Sequence, residues 1–413
     1  MDVTAQDAAA RARLRALAGS AGLDVGGAGA GLRRTSSRFC LGVEHGDYNG
    51  TELFGVGTDR FLWLGFRAND RGRVRLLSGN YADEGIVDFA LDALPPPRSP
   101  ELARRWARFP LGVAWVLQRA GFALGRGFDA VITSDIPGGG MSRSASLTLN
   151  LLLAFAEVNH LSFACDWQVI ELAQAVENDY VGSPCGVLDQ TMIFFARAGC
   201  GTHFRPHDRS VQHVPIGDAP PFRLVSLDTG TDRPGLEHST YRVRRAECEE
   251  LVALAGPEFG CRNLADVRDE ASLRRLLARF SVSHPEHCRR LRYVFAAQQR
   301  LPRMLDAWRA GDLATVGSLF RADGRDLRDL YRISGAELET MCDIARTVPG
   351  VWGERMLGGG DKGAAGAVVA ADSVDDLRRA VAIAYPRAHP ESAPRAAVHA
   401  CSLVDGIASL PPS

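Results

Sequence analysis

The stretch that most constrains the fold of this chain runs from residue 128 to residue 155 and reads FDAVITSDIPGGGMSRSASLTLNLLLAF. Its first part is rich in β-branched and aromatic residues, which favour a strand, and its last part has the apolar spacing of a buried helix. A strand that passes through a glycine loop into a helix leaves unpaired backbone N–H groups at the positive helix end. The pattern therefore indicates either an anion site or a tight turn that only glycine can make.

The glycine loop lacks the signatures of two common nucleotide-binding loops. No Gly-Lys-Ser/Thr follows the glycines, as a Walker A loop requires, and their spacing is not that of a GxGxxG dinucleotide loop. The hydroxyls of Ser142 and Ser144 nevertheless suit a nucleotide whose phosphates carry Mg²⁺, because this ion takes oxygen ligands.

A second polar stretch, VENDYVGSPCGVLDQ, spans residues 176–190. The glycine and proline residues between Glu177 and Asp189 imply a turn that could bring both carboxylates toward one cleft. One of them could then hold a metal ion while the other faces a hydroxyl group. The alternative is that both are solvated surface acids.

A third stretch, RFCLGVEHGDYNG, places Arg38, Glu44, His45 and Asp47 between strand-like segments. Such a density of donors and acceptors suits a polyhydroxyl ligand, because each buried hydroxyl needs hydrogen-bond partners. The alternative is an exposed polar turn in which His45 is an ordinary loop residue.

Bulk properties limit the class of protein. A chain of 413 residues is long enough for two domains. The pattern of strand-like and helix-like segments changes near residue 200, which divides the chain into two mixed α and β domains, 1–200 and 201–413. The formal charge of −1 gives no electrostatic reason to expect nucleic acid or a membrane surface as partner. A small-molecule partner is therefore expected.

The cysteines and the apolar segments bear on the compartment. Nine cysteines are scattered without a CxxC motif or a zinc-ligand spacing, which is typical of reduced thiols in a cytoplasmic protein. The first residues lack the apolar core of a secretory signal, and no segment reaches the length of a membrane span. We expect a cytoplasmic protein.

Taken in order, the three polar stretches resemble the signature motifs of the GHMP small-molecule kinases, and of the galactokinase family in particular. RFCLGVEHGDYNG resembles the galactokinase sugar signature, PGGGMSRSASL resembles the phosphate loop, and VENDYVGSPCGVLDQ resembles the segment with the metal glutamate and the catalytic aspartate. Three further matches in the second half are STYRVRRAECEE, GRDLRDLYRISGAELE and GERMLGGGDKGAAGAVV. The resemblance runs from about residue 36 to about residue 370.

This resemblance implies an α+β fold of two domains. The N-terminal domain would be similar to domain 2 of ribosomal protein S5, the C-terminal domain would be ferredoxin-like, and the active-site cleft would lie between them. The implied reaction transfers the γ-phosphoryl group of ATP to the anomeric hydroxyl of galactose or a closely related sugar, giving a sugar 1-phosphate and ADP. The protein would act as a monomer.

The resemblance also implies roles for single residues. Asp189 would face the sugar hydroxyl as base or charge stabiliser, beside Arg38, and Ser144 and Glu177 would hold Mg²⁺. The phosphate loop would comprise Gly138, Gly139, Gly140, Met141, Ser142, Arg143 and Ser144, and Trp106 would lie on the adenine side. The sugar hydroxyls would be bound by Glu44, His45, Asp47, Gly186 and Tyr241.

Several residues depart from the family pattern. Arg143 replaces the middle serine of the phosphate loop, and GGGDKGAAG replaces Gly-Gly-Gly-Phe-Gly-Gly, which puts Asp361 and Lys362 near the phosphates. The guanidinium of Arg143 could meet a phosphate oxygen or an acid such as Asp361. These changes leave open a different substrate, such as galacturonate, arabinose or a secondary-metabolite cyclitol, or a silent sensor of sugar and ATP. Glu44 argues against a hexuronate, which would need a cation near its carboxylate.

Overall fold

The segment from residue 128 to 155 folds in the computed structural model as the sequence predicts. Its strand occupies Gly127–Ser134 and its helix Arg143–Asn159, with the glycine loop between them. The structure describes residues 2–102, 105–231 and 239–411. Within these ranges, no helix is both long enough and apolar enough to cross a bilayer.

The strands and helices are numbered in chain order. The strands are β1 (Ala30–Gly42), β2 (Leu53–Asn69), β3 (Arg73–Ser78), β4 (Val87–Ala90), β5 (Gly127–Ser134), β6 (Cys200–Arg205), β7 (Ser210–Pro215), β8 (Phe222–Asp228), β9 (Val351–Met356), β10 (Ala364–Ala370), β11 (Ala397–Cys401) and β12 (Ile407–Leu410). The helices are α1 (Val3–Ala21), α2 (Arg108–Arg119), α3 (Arg143–Asn159), α4 (Asp166–Ala175), α5 (Leu188–Phe194), α6 (Thr240–Phe259), α7 (Glu270–Phe280), α8 (Pro285–Ala310), α9 (Leu313–Asp326), α10 (Ala336–Arg346) and α11 (Val374–Ala388).

Two sheets organise these elements. The first has the strand order β12-β1-β2-β5-β3-β4, with β6 paired to the start of β2 and β7 paired to β6. The second has the order β11-β8-β10-β9. Among the described residues all pairings are antiparallel except that of β3 with β5.

The two sheets do not divide the chain at residue 200, where the change in the sequence pattern suggested a domain boundary. Strands β6 and β7 follow residue 200 but hydrogen-bond to the first sheet, and β12 returns from the far end of the chain to pair with β1. The physical reason is that β1 and β2 are long strands whose backbone groups need partners, which β12 and β6 supply. Composition along the chain carries no trace of this long-range pairing.

Helices cover both faces of the first sheet. On one face α1 packs its apolar side, including Leu14, against Phe61 and Trp63, and the indole N–H of Trp63 donates to Asp7 at 2.7 Å. On the other face α3 is buried along most of its length, with α2 and α4 beside it. A third apolar core joins the end of β1 to the helices of the second half. The start of α3 is thereby held at the junction of the two halves.

Two glycines let α9 lie directly on β9. A Cβ added at Gly317 would come 2.5 Å from the Cβ of Trp352, and one added at Gly353 would overlap the carbonyl oxygen of Gly317. Since backbone atoms cannot move aside as a side chain can, the contact requires glycine on both elements.

We expect Gly353→Ala to lower the free energy of unfolding by about 1–3 kcal/mol, because the added methyl group overpacks this contact. Urea denaturation measures the change. Gly125→Ala is the matched control, since an added Cβ there meets nothing within 4 Å, and it should leave the stability unchanged. Equal stability of the two variants would contradict the close approach of α9 to β9.

Candidate active site

A cleft of about 290 Å³ brings the three polar stretches together. Its walls come from the end of β1 and the following loop, the glycine loop, the region after α4, and the start of α5. The predicted site residues that line it are Arg38, Glu44, His45, Asp47, Trp106, Gly138, Gly140, Ser142, Arg143, Ser144, Glu177, Gly186, Asp189 and Tyr241.

The centre of the cleft is an ion pair between Arg38 and Asp189. Arg38 Nε donates to Asp189 Oδ1 at 2.8 Å, and Nη2 lies 2.7 Å from the same oxygen. The side chain of Arg38 is 3% exposed, whereas that of Asp189 is 31% exposed. Burial by itself would lower the pKa of Arg38, but the carboxylates of Asp189 and Glu44 raise it overall. A permanently charged guanidinium therefore backs a carboxylate that faces the open cleft.

The glycine loop lies against this pair. Arg38 Nη1 donates to the carbonyl oxygen of Gly140 at 2.6 Å, and Gly140 has a left-handed backbone with φ of 73°. A Cβ at Gly139 would overlap Gly363, in the loop between β9 and β10. The side chain of Met141 is fully buried in the apolar core. Gly139 and Met141 thus contact the protein interior, and their neighbours Gly138 and Gly140 line the cleft.

The start of α3 is open toward the cleft. Ser142 precedes the helix with a left-handed backbone, φ 60°, and its side chain does not cap the helix. Its Oγ is buried without a hydrogen-bond partner among the described residues. The first backbone N–H groups of α3 and this hydroxyl are therefore available to an anionic ligand.

Asp47 is fixed at the opposite side of the cleft. Its carboxylate accepts hydrogen bonds from the backbone N–H groups of Leu188 at 3.1 Å and Tyr48 at 3.0 Å. Gly186 lies so close that an added Cβ would overlap the carboxylate. Burial raises the pKa of Asp47 most, the N–H group of Leu188 opposes this, and the charge of Asp189 raises it further.

Aromatic rings complete this side. The His45 ring lies 5.2 Å from Tyr241 and 5.1 Å from Tyr331, between centroids, and His45 Nδ1 is 3.0 Å from the hydroxyl of Tyr48. Tyr241 is buried, which raises the pKa of its hydroxyl well above the usual value. Rings next to carboxylates make a surface with both apolar and hydrogen-bonding character.

Arg143 binds Tyr81, and not the suggested partner Asp361. Its Nη2 donates to the hydroxyl of Tyr81 at 2.6 Å, and its guanidinium lies 5.4 Å from the centre of that ring. Tyr81 in turn stacks on Trp106, with centroids 6.4 Å apart and planes at 13°. Trp106 is buried, and its indole N–H has no partner among the described residues. Arg143 thus joins the glycine loop to an aromatic wall of the cleft.

Asp361 has a structural partner instead. It accepts a hydrogen bond from the backbone N–H of Thr240, the first residue of α6, at 2.7 Å. It therefore supplies the cap that Ser239, the residue before α6, does not provide through its side chain. Lys362, the single lysine of the sequence, is exposed on the same loop.

Comparisons with known proteins agree with this geometry. Residues 108–197 match the family model of the GHMP kinase N-terminal domain. Galactokinase of Chloroflexus aggregans is 34% identical, over 86% of this chain and 87% of its own length. The chain belongs to the galactokinase family of the GHMP kinases. Galactokinase of Streptomyces coelicolor is 32% identical, over 87% of this chain and 89% of its own length.

Solved structures give the same family relationship. The structure of Lactococcus lactis galactokinase complexed with galactose superposes with a TM-score of 0.87, at 27% identity, covering 97% of this chain and 99% of that one. The mevalonate kinase of L. major, with a TM-score of 0.59 and 19% identity over 90% of this chain and 95% of that one, shares the fold. The two-domain GHMP kinase fold expected from the motifs is therefore confirmed.

Sequence reasoning missed residues that this galactokinase-family member brings to the site. Tyr81 lies in a stretch, SGNYADEG, that matches none of the six motifs, so no local signal marked it. Arg355 was within a quoted motif but had no assigned role, and it binds Glu44 from behind at 3.1 Å. The signal available in the sequence was the charge of Arg355 inside the apolar pattern of β9, because a buried charged side chain needs a partner.

We expect Asp361→Ala to destabilise the fold by about 1 kcal/mol, the usual effect of removing a helix cap. Chemical denaturation measures the loss. Lys362→Ala, at the next position, is the control and should leave the stability unchanged because that side chain is exposed. If the two variants are equally stable, Asp361 does not act as a cap.

Proposed function

We propose that this protein is an ATP-dependent galactose 1-kinase, which transfers the γ-phosphoryl group of ATP to the anomeric hydroxyl of galactose and releases ADP. The observation that carries the proposal is the Arg38–Asp189 pair, which lies in one cleft with the glycine loop at the start of α3. Relatives named galactokinase at 34% and 32% identity over most of the chain support the same reaction.

The half-exposed Asp189 is the residue that would meet the sugar hydroxyl. Phosphoryl transfer passes through a loose transition state, so positioning and charge neutralisation supply most of the catalysis. Asp189 would accept the proton of the anomeric hydroxyl or stabilise its developing charge. Arg38 fixes the orientation of Asp189 through two contacts to one carboxylate oxygen.

The phosphates of ATP would lie at the start of α3. Backbone N–H groups of this first turn and the Oγ of Ser142 provide donors, and the helix dipole favours the negative charge. The base would lie toward Trp106 and Tyr81, whose parallel rings form the wall beyond the glycine loop. Gly138, Gly139, Gly140 and Met141 would supply the backbone of the cradle.

The donors available for Mg²⁺ are the hydroxyl of Ser144 and the carboxylate of Glu177. Both line the cleft that holds the glycine loop, and both are hard oxygen ligands of the kind this ion prefers. Bound there, the ion would neutralise phosphate charge as it does in other phosphoryl-transfer enzymes. The donor set of this chain therefore fits the ion.

Galactose hydroxyls would bind to the polar residues around Asp47. The carboxylates of Asp47 and Glu44 would accept hydrogen bonds from the sugar, and the side chains of His45 and Tyr241 would add a ring nitrogen, a hydroxyl and apolar surface. Gly186 has no side chain, which lets the Asp47 carboxylate lie against its backbone. Two buried carboxylates on this side disfavour a hexuronate, because a third negative charge would lie close to them.

We further infer that the enzyme acts as a cytoplasmic monomer. Its nine cysteines are free thiols, which fits a reducing compartment. The residues proposed for catalysis, sugar binding and ATP binding all belong to this chain, which is compatible with a monomer.

Asp189→Asn is expected to reduce kcat by about 10²–10⁴-fold, the usual contribution of a positioned acid or base, while the fold is kept. ADP release from Mg-ATP with galactose measures the rate, and thermal denaturation checks folding. Asp88→Asn is the control, because Asp88 also pairs with an arginine, Arg73, but outside the cleft. Wild-type activity in Asp189→Asn would contradict the assigned role.

The substrate is tested by a screen of neutral hexoses, pentoses, uronates and cyclitols with the same readout, followed by locating the phosphate on the product. Galactose should give the largest kcat/KM. No ADP above background with any of them would refute the kinase function.

Arg143→Ser is expected to raise the Michaelis constant for ATP by roughly tenfold, corresponding to about 1.4 kcal/mol of lost binding. The physical reason is that Arg143 supplies a cation next to the phosphate cradle and holds Tyr81 against Trp106. Tyr81→Phe is the matched variant, because it removes only the hydroxyl that Arg143 binds. A similar rise in both variants shows that Arg143 acts through Tyr81, whereas unchanged ATP kinetics in Arg143→Ser would refute its role.

A further inference from the structure

Arg355 on β9 lies behind the cleft wall and is 1% exposed. Its Nη1 donates to Glu44 Oε2 at 3.1 Å, and its Nη2 donates to the carbonyl oxygen of Cys40 at 2.9 Å. The guanidinium also lies 4.5 Å from the centre of the Phe320 ring. Arg355 is therefore held rigidly on the side of Glu44 that faces away from the cleft.

Arg355 belongs to a series of side chains with alternating charges that runs from the cleft to the end of α9. Neighbours in the series approach within salt-bridge distance. The pairs are Asp189–Arg38 at 2.7 Å, Arg38–Glu44 at 3.7 Å, Glu44–Arg355 at 3.1 Å, Arg355–Asp323 at 3.6 Å, Asp323–Arg300 at 2.9 Å and Arg300–Asp326 at 2.5 Å.

Glu44 depends on both of its cations. Glu44 is 2% exposed, and this burial raises the pKa of its carboxyl group. The positive charges of Arg355 and Arg38 lower that pKa, and the effect of Arg355 is the larger of the two. Its Oε2 is engaged by Arg355, and its Oε1 is 3.7 Å from Arg38 Nη2, which is beyond hydrogen-bond distance. Arg38 can therefore direct Nε and Nη2 to Asp189.

Loss of Arg355 would leave a buried carboxylate with one cation. Glu44 would then either draw Arg38 toward itself or take up a proton, because an uncompensated buried charge is strongly unfavourable. Movement of Arg38 would weaken its two contacts to Asp189, and protonation of Glu44 would change the acceptor that it offers to the cleft.

We propose that Arg355 is a positioning residue for phosphoryl transfer, which acts through Glu44 to keep Arg38 on Asp189. The proposal rests on the galactose 1-kinase function proposed above. Arg355 does not touch the reacting groups. Its contribution is to bind Glu44 from the side that faces away from the cleft, so that Asp189 is the carboxylate to which Arg38 donates.

The test compares Arg355→Met with Arg355→Lys by steady-state kinetics with galactose and Mg-ATP. We expect Arg355→Met to lower kcat by about 10²-fold, as misplacement of a catalytic group does. The KM for ATP should change much less, because the contact of Arg38 with the glycine loop, from Nη1 to the carbonyl oxygen of Gly140, does not use the two nitrogens that bind Asp189. Arg355→Lys keeps the charge next to Glu44 and should recover part of kcat.

Arg321→Met is the matched control. Arg321 Nε donates to both carboxylate oxygens of the fully buried Glu354, at 2.9 and 2.8 Å. Glu354 is the neighbour of Arg355 on β9, and successive side chains of a strand point to opposite faces. This variant also deprives a buried carboxylate of a cation, so its melting temperature should fall while its kcat stays at the wild-type value.

Wild-type kcat in Arg355→Met, at a temperature at which both proteins are folded, would overturn the proposal, and so would an equal loss of kcat in Arg321→Met. If Arg355→Met does not fold, Arg355→Lys and Asp323→Asn decide the question. Asp323→Asn removes the negative charge next to Arg355 and nearly keeps the shape of the side chain. Unchanged kcat in both variants would overturn the proposal.

A wild-type enzyme that releases no ADP with galactose would refute the kinase function and this proposal together. Unchanged kcat in the Arg355 variants of an active enzyme would refute the positioning role alone.

Discussion

The buried guanidinium of Arg38 is the interaction on which the rest of the site depends. It donates to Asp189 at the start of α5 and to the carbonyl oxygen of Gly140 in the glycine loop, and it faces Glu44 in the loop that follows β1. Three segments that are distant in the sequence thus meet on one side chain. A planar group with several fixed donors can hold them in one geometry, which a lysine could not do.

Close backbone contacts make this arrangement possible. Gly139 touches Gly363 in the loop between β9 and β10, and Gly358 lies next to Gly140. A side chain at either interface would separate the glycine loop from the second sheet. The loop is thus supported from behind by the other half of the molecule. The C-terminal half therefore helps to position the glycine loop, together with the strand and helix that flank it.

The local sequence around Arg143 indicates a charge near the cleft but does not identify the partner of that charge. The charge of Arg143, next to a glycine loop, correctly indicated that a guanidinium lies at the cleft. Its partner could not be read from the sequence, because Tyr81 lies in a stretch between β3 and β4 that carries no motif. The acid suggested as partner, Asp361, is instead bound to the start of α6. A charged side chain can pair with any group that the fold brings within reach, and spacing along the chain does not rank the possibilities.

The sequence by itself determined the strand, glycine loop and helix of residues 127–159, the family fold, and part of the set of residues that line the cleft. These features depend on local propensity and on motifs in a fixed order, and both can be recognised in a single sequence. Only the tertiary structure decided that β6, β7 and β12 complete the first sheet, and that Glu44 lies between Arg38 and Arg355. The physical reason is that backbone pairing and buried charge balance depend on groups far apart in the sequence. Which groups pair depends on their distance in space and on the exclusion of water, and the local sequence specifies neither of these.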